Sequence, residues 1–308
     1  MKIAFFGTPE FALPSLRSLC ESPHRVVGVI SAPDKPAGRG KRMTAPPVAL
    51  EAKRRNLPLL QPENLRDALF LEHLKSWNAE VFAVVAFRIL PEEVFGMPRY
   101  GAINLHASLL PAYRGAAPIN WALWNGEKTT GLTTFHIEKS VDTGNILLQA
   151  PVEISDQDDA GSLSQKMAQV GAQLLVKTLT EFEAGGLTAK RQDHAKSSPA
   201  PKITKDHCQI SWQQPARVIR NQIRALSPEP AAFTIFENLN LKIFRSEVSE
   251  SWPGLEPGWV RISDQSIVIG TADGSLRIWE LQLQGKNRMD TDTFLRGYRP
   301  RGTFNLNS

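Results

Sequence analysis

Apolar and polar positions fall into two regimes along this chain. Up to about residue 185, short apolar runs alternate with helical periodicity. Lys2–Phe6 reads as a strand, Gly7-Thr8-Pro9 as a turn and Glu10–Leu19 as a helix. Val26–Ser31 is the next strand. Val81–Phe87 and Ala102–His106 are apolar runs without alternation, as expected of strands buried on both faces. Leu132–Glu138 and Ile146–Ile154 follow as an extended pair. Leu163, Met167, Val170, Leu174, Leu175, Leu179 and Phe182 then recur at steps of three and four, and Gly185-Gly186 ends that helix. The β-α-β order predicts an α/β fold: a doubly wound, mainly parallel, Rossmann-like sheet with helices on both faces.

The pattern changes after residue 189. Lys190–Lys205 has little apolar content and two prolines, so it reads as a linker. Beyond it lie an amphipathic stretch, Pro215–Leu226, and five short strands. These are Phe233–Phe236, Leu241–Arg245, Gly258–Ile262, Ser266–Ile269 and Leu276–Leu283, separated by Asn, Pro-Gly and Asp-Gly turns. Strands this short and close suggest a small closed or partly open barrel. The expected organisation is one domain over 1–189, a linker over 190–205 and a barrel domain over 206–308.

Composition narrows the class. The 308 residues are 42% hydrophobic and 22% charged, which excludes a disordered chain. No apolar run approaches the roughly 18 residues of a membrane span. Met1–Gly7 reads as a buried strand and not as a secretory signal. The two cysteines, Cys20 and Cys208, lie far apart in the chain, which suits a reducing cytosol and a cytoplasmic location.

The net charge of +5 is uneven. Residues 34–55 carry seven basic residues against Asp34 and Glu51, and residues 286–301 carry five against Asp290 and Asp292. Two such clusters can grip a polyanion or simply solvate the surface.

The candidate chemistry lies at Asn104-Leu105-His106-Ala107-Ser108. Alternate strand residues share a face, so Asn104 and His106 point together where the strand ends. Ligands of doubly wound sheets bind at those carboxyl ends. An Asn amide can donate to an oxyanion, and a His can carry a proton near neutral pH. Asp142, in Val141-Asp142-Thr143-Gly144, is the carboxylate candidate. A hydrogen-bonded strand-end histidine and an Asx turn explain the same residues equally well.

Longer motifs break that tie. Gly7-Thr8-Pro9-Glu10-Phe11-Ala12, Pro33–Lys41, Asn104–Ile119 and Asp142-Thr143-Gly144 stand in this order. Pro201–Lys205, Ile210-Ser211-Trp212 and Ile219–Pro228 follow them. Together they resemble the methionyl-tRNA formyltransferases among the folate-dependent formyltransferases, from residue 2 to about residue 300. Two segments depart from that family. Thr134–Val141 lacks a methionine-rich character, and its His136 and Glu138 read as a solvated face. Ala231-Ala232 stands in place of a Pro-Gly-Ala-like turn.

The resemblance implies a formyltransferase catalytic domain over 1–189 and an OB-like tRNA-binding domain over 206–308, 10-formyltetrahydrofolate as formyl donor, the α-amino group of methionyl initiator tRNA as acceptor, and no metal. Asn104 and His106 would face the oxyanion, with His106 moving the proton and Asp142 orienting His106. Ser108, Leu109, Leu110 and Pro111, with Phe87, Ile89 and Leu90, would line the pterin pocket. Arg39, Lys41, Arg42, Lys202, Arg296 and Arg299 would contact tRNA. The expected protein is a cytoplasmic monomer without membrane contact. An amino-sugar-nucleotide formyltransferase, a glycinamide ribonucleotide formyltransferase and a non-catalytic tRNA-binding relative are the alternatives.

Overall fold

The computed structural model describes residues 1–37, 42–249, 254–263, 266–297 and 304–306. The chain divides into two compact units. The first comprises 1–118, 129–153 and 164–200, and the second 119–128, 154–163 and 201–308. The contiguous split at 189 is therefore not the observed one, because 119–128 and 154–163 pack with the later residues. The expected linker is also tied down as far as Ala200. Lys190 exchanges backbone hydrogen bonds with Ile146, both at 2.8 Å, and Pro199–Ala200 pairs with Arg114–Gly115. Polar composition hid this anchoring, because backbone groups make most of it.

The first unit is built on a seven-stranded sheet. Its strands are β1 (Lys2–Gly7), β2 (Arg25–Ile30), β3 (Leu59–Leu60), β4 (Val81–Val85), β5 (Ala102–His106), β6 (Thr129–His136) and β7 (Ile146–Glu153). The spatial order is β7-β6-β5-β4-β1-β2-β3. The five strands from β5 to β3 are mutually parallel, and β6 and β7 add antiparallel pairs. Every residue of β4 is buried, as its unbroken apolar run requires. The order reverses between β4 and β1, so the carboxyl ends beside that point are where a ligand crevice forms.

The long helix spans Ala160–Glu183. It ends where Gly185, at φ +72°, donates to the Phe182 carbonyl and Gly186 to that of Glu181. This left-handed close is open to glycine at no steric cost.

The second unit is an antiparallel sheet. Its order is Ala232–Phe236, Leu239–Ser249, Ser275–Leu283, Ser266–Gly270, Trp259–Ser263 and Phe304–Asn305. Helix Ala216–Leu226 buries Ile219, Ile223 and Leu226 in the core of this unit beside Trp212 and the inward residues of the strands. Asp273 Oδ1 caps it by accepting from the Ala216 amide at 2.7 Å. No helix among the described residues is long and apolar enough to cross a membrane.

Glu51 is the most heavily paired carboxylate of the first unit. It is 5% exposed and accepts from Arg54 Nη2 at 2.6 Å, Arg55 Nε at 2.8 Å and Arg17 Nε at 3.2 Å. The hydrogen bond from Arg54, with those of Arg17 and Arg55, holds the carboxyl well below the usual carboxylate range against the opposing effect of burial. A depressed carboxylate pKa stabilises the fold above the unfolded value of about 4.3, and the stabilisation is lost as pH falls. We predict that Glu51→Gln lowers the unfolding free energy at pH 7 by roughly 1–3 kcal/mol, at the low end because the arginines are partly solvated. Urea unfolding at pH 7 and pH 3 checks this. The gap from wild type should narrow at pH 3, and an equal gap at both pH values contradicts the assignment.

Candidate active site

Strand β5 carries Asn104 half-buried and His106 buried, and both lie on one face at its carboxyl end. His106 Nε2 lies 2.9 Å from the main-chain carbonyl of Tyr113. A carbonyl only accepts, so Nε2 carries the proton and the neutral ring keeps its lone pair on Nδ1. Nδ1 lies 3.7 Å from Asp142 Oδ2. That carboxylate oxygen accepts from the Gly115 amide at 2.9 Å. Asp142 thus sits beside the nitrogen that can take a proton, while Tyr113 holds the ring. The expectation that Asp142 itself orients His106 is corrected on this point. The Asn104 amide has no hydrogen-bond partner among the described residues.

The loop carrying Asp142 is tightly constrained. Asp142 has φ +55°, a left-handed conformation costing a non-glycine residue about 1–3 kcal/mol. At Gly144, a Cβ would stand 1.8 Å from the His136 carbonyl oxygen, so only glycine lets the loop pass β6. His136 packs its ring against Phe182 at 5.5 Å, and burial pushes its pKa down. It is therefore a half-buried packing group and not part of a solvated face. Glu138 is exposed.

The turn after β5 is held by side chains. Ser108 Oγ donates to the Ala112 carbonyl at 2.6 Å. Thr133 Oγ1 donates to the Ser108 carbonyl at 2.7 Å and accepts from the Leu110 amide at 3.0 Å. Gln149 Nε2 donates to the Leu110 carbonyl and to Thr133 Oγ1, both at 2.9 Å. Ser108 and Leu110 are buried, whereas Leu109 and Pro111 are half-buried. In the segment after β4, Leu90 belongs to the core, Phe87 packs on Phe6 at 5.5 Å, and Ile89 is 74% exposed. The side chains of Ser108, Leu110 and Leu90 are thus committed internally.

The basic candidates divide. Arg39, Lys41 and Arg299 lie outside the described residues, as does the side chain of Arg42. Lys202 is exposed. Arg296 is exposed on helix Thr291–Gly297 and donates to Thr293 Oγ1 at 3.0 Å. Three other cations of the two clusters are held by acidic side chains. Arg54 and Arg55 pair with Glu51, and Arg288 pairs with Glu280 at 2.6 and 2.7 Å while lying over Phe244. No group of three or more His, Cys, Asp or Glu side chains suited to a metal occurs among the described residues.

Residue reading missed the Tyr113 carbonyl, Thr133, Gln149 and Gln192. A carbonyl has no sequence signature, Thr133 and Gln149 come from other strands, and Gln192 lies in the expected linker.

The chain is similar to known proteins over nearly its whole length. The Formyl transferase family profile matches residues 1–179, and the profile of the Formyl transferase C-terminal domain matches 202–299. The methionyl-tRNA formyltransferase of Caldanaerobacter subterraneus subsp. tengcongensis is 44% identical, with 98% of this chain and 99% of the relative covered. That of Pelotomaculum thermopropionicum is 45% identical, with 96% of each covered. The crystal structure of the sugar 3N-formyl transferase WlaRD, solved in the presence of dTDP and 5-N-formyl-THF, has a TM-score of 0.69 at 21% identity. It covers 93% of this chain and 99% of its own. At that identity the likeness concerns the fold.

The Thr133 hydroxyl is the joint of the turn after β5. Thr133→Val keeps the shape but leaves the buried Ser108 carbonyl and Leu110 amide without this partner. We predict a loss of roughly 1–3 kcal/mol in unfolding free energy. Denaturant unfolding measures it, and wild-type stability would show that the turn does not depend on this hydroxyl.

Proposed function

The chain belongs to the formyl transferase family, and on that footing we propose that it moves the formyl group of 10-formyltetrahydrofolate onto the α-amino group of methionyl initiator tRNA. The product is N-formylmethionyl-tRNA, used to start translation. The observation that carries the chemistry is the pairing of His106 Nδ1 with Asp142 Oδ2 at 3.7 Å while Nε2 is tied to Tyr113.

The acceptor amine adds to the formyl carbon, and negative charge develops on the formyl oxygen. The unpaired Asn104 amide donates to that oxygen. His106 Nδ1 takes the proton that the amine must lose. The resulting imidazolium keeps its Nε2–H on Tyr113 and gains the Asp142 carboxylate beside Nδ1–H. His106 then returns the proton to the departing folate nitrogen, which balances the reaction. The cycle closes without a metal ion.

Backbone of the turns at 86–91 and 108–111 meets the edge of the pterin. Phe87, Ile89, Leu109 and Pro111 offer side-chain surface there and Leu90 its main chain, while Ser108 and Leu110, bonded to Thr133 and Gln149, shape the turn that lines the pocket. Arg39, Lys41, Arg42, Lys202, Arg296 and Arg299 neutralise tRNA phosphates. The enzyme works as a cytoplasmic monomer, away from membranes.

The deciding assay offers methionyl-tRNA, an amino-sugar nucleotide and glycinamide ribonucleotide in parallel with 10-formyltetrahydrofolate. Transfer to methionyl-tRNA alone is expected. Transfer to the sugar nucleotide instead would replace this reading. Asn104→Ala, His106→Ala and Asp142→Ala should each lower turnover by about 10²–10³-fold with thermal unfolding unchanged. Near-normal turnover in two of them would remove the assignment.

Phosphate contacts weaken with salt in proportion to their number. Arg296→Ala and Arg299→Ala should raise KM for tRNA and flatten its salt dependence. Arg39→Ala and Arg42→Ala should lower turnover at saturating tRNA, because misplacing the amine costs rate. Formylation rates against tRNA concentration at two salt levels separate the two sets. Wild-type behaviour of Arg39→Ala and Arg42→Ala would take these two residues out of tRNA handling.

A further inference from the structure

Gln192 lies in the stretch whose composition reads as a linker, yet it is 4% exposed. Its amide is fully used. Nε2 donates to the Asp142 carbonyl at 3.0 Å and to the Gly144 carbonyl at 2.7 Å. Oε1 accepts from Arg114 Nη2 at 2.5 Å and from Arg114 Nε at 3.2 Å. Two donors and two acceptor sites are all that a primary amide has.

The three segments joined in this way are those that build the proton-handling pair. Arg114 follows Tyr113, whose carbonyl holds His106 Nε2, and precedes Gly115, whose amide holds Asp142 Oδ2. Residues 142–144 carry the left-handed Asp142. The segment 190–200 is fastened on both sides of Gln192. Lys190 pairs with Ile146, Ser198 Oγ accepts from the Tyr113 amide at 2.9 Å, and Ala200 pairs with Gly115. The hydrogen bonds of Gln192 run directly to the backbone of Asp142, whose conformation is unfavourable without such support.

We propose that Gln192 is a positioning residue for formyl transfer, holding the Asp142 backbone so that its carboxylate stays beside His106 Nδ1. The proposal rests on the catalytic pair described under Proposed function. Gln192 touches no reacting atom and acts only through Asp142. A side chain that merely filled space would affect stability and leave the rate of the folded enzyme unchanged.

Two variants separate these roles. Gln192→Ala removes all four hydrogen bonds. Gln192→Glu keeps the volume and the acceptor side facing Arg114, but it sets a carboxylate oxygen against the carbonyls of Asp142 and Gly144. Each should lower kcat by about 10–100-fold, the scale expected when a reacting group is misplaced by about an ångström. KM for 10-formyltetrahydrofolate and for the acceptor should stay within about threefold, since neither ligand is bound by an altered group.

The decisive measurement is a double-mutant cycle with Asp142→Ala in the full chain. A residue that works through Asp142 loses its effect once that carboxylate is gone, so the double variant should match Asp142→Ala within about twofold. Multiplicative losses, or wild-type kcat in a folded Gln192→Glu, would overturn the proposal. If Gln192→Ala does not fold, the cycle is run with Gln192→Glu. The acceptor used is whichever of the three the wild type formylates, so an error in the acceptor shows in the wild-type assay and leaves the cycle decisive. Absence of transfer to all three overturns both readings.

Discussion

His106 Nε2 donates to the Tyr113 carbonyl, and this bond decides which ring nitrogen can accept a proton. A buried imidazole free to rotate could offer either nitrogen. Fixed here, it leaves Nδ1 facing the Asp142 carboxylate. The backbone between Ala107 and Gly115 must therefore fold back over the end of β5 and stay there. Thr133 and Gln149 hold the start of that segment, and pairing with Pro199–Ala200 holds its end. The sheet supplies the platform, because β5 is buried between β4 and β6 and its last residue cannot shift without its neighbours.

Constraint at this site is met mostly by neutral groups. The loop with Asp142 is held by two amide-to-carbonyl bonds from Gln192, and its carboxylate by the backbone amide of Gly115. The Asp142 carboxylate therefore has no cation bound to it in the described structure. A guanidinium there would compete with His106 for that carboxylate. Arg114 is close but engages the Gln192 oxygen instead. Its charge is set against the amide that donates to the Asp142 carbonyl.

The basic residues illustrate a division of labour that net charge conceals. Arg54 and Arg55 neutralise the buried Glu51, and Arg288 is spent on Glu280 and the Phe244 ring. These charges support folding and offer little to a polyanion. Exposed Lys202 and Arg296 carry no such ion pair among the described residues. The count of cations in a segment overstates its capacity for phosphate wherever acidic side chains from the same fold claim them.

Much of the fold was legible in the sequence, because burial imposes periodicity. The unbroken apolar runs of β4 and β5, the three-four spacing from Leu163 to Phe182, and Gly185-Gly186 each follow from local geometry. Asn104 and His106 were legible for the same reason, since a strand places alternate residues on one face. The boundaries of the two units were not legible. Residues 119–128 and 154–163 join the second unit through contacts that leave no local signature. Nor was the role of 190–200, whose anchoring comes from backbone pairing and one buried glutamine. Asp142 could be named from its motif, but its place beside Nδ1 depends on Tyr113, Gly115 and Gln192. Periodicity records which residues are buried together within an element. The nitrogen left open for a proton was decided only where three distant backbone segments met.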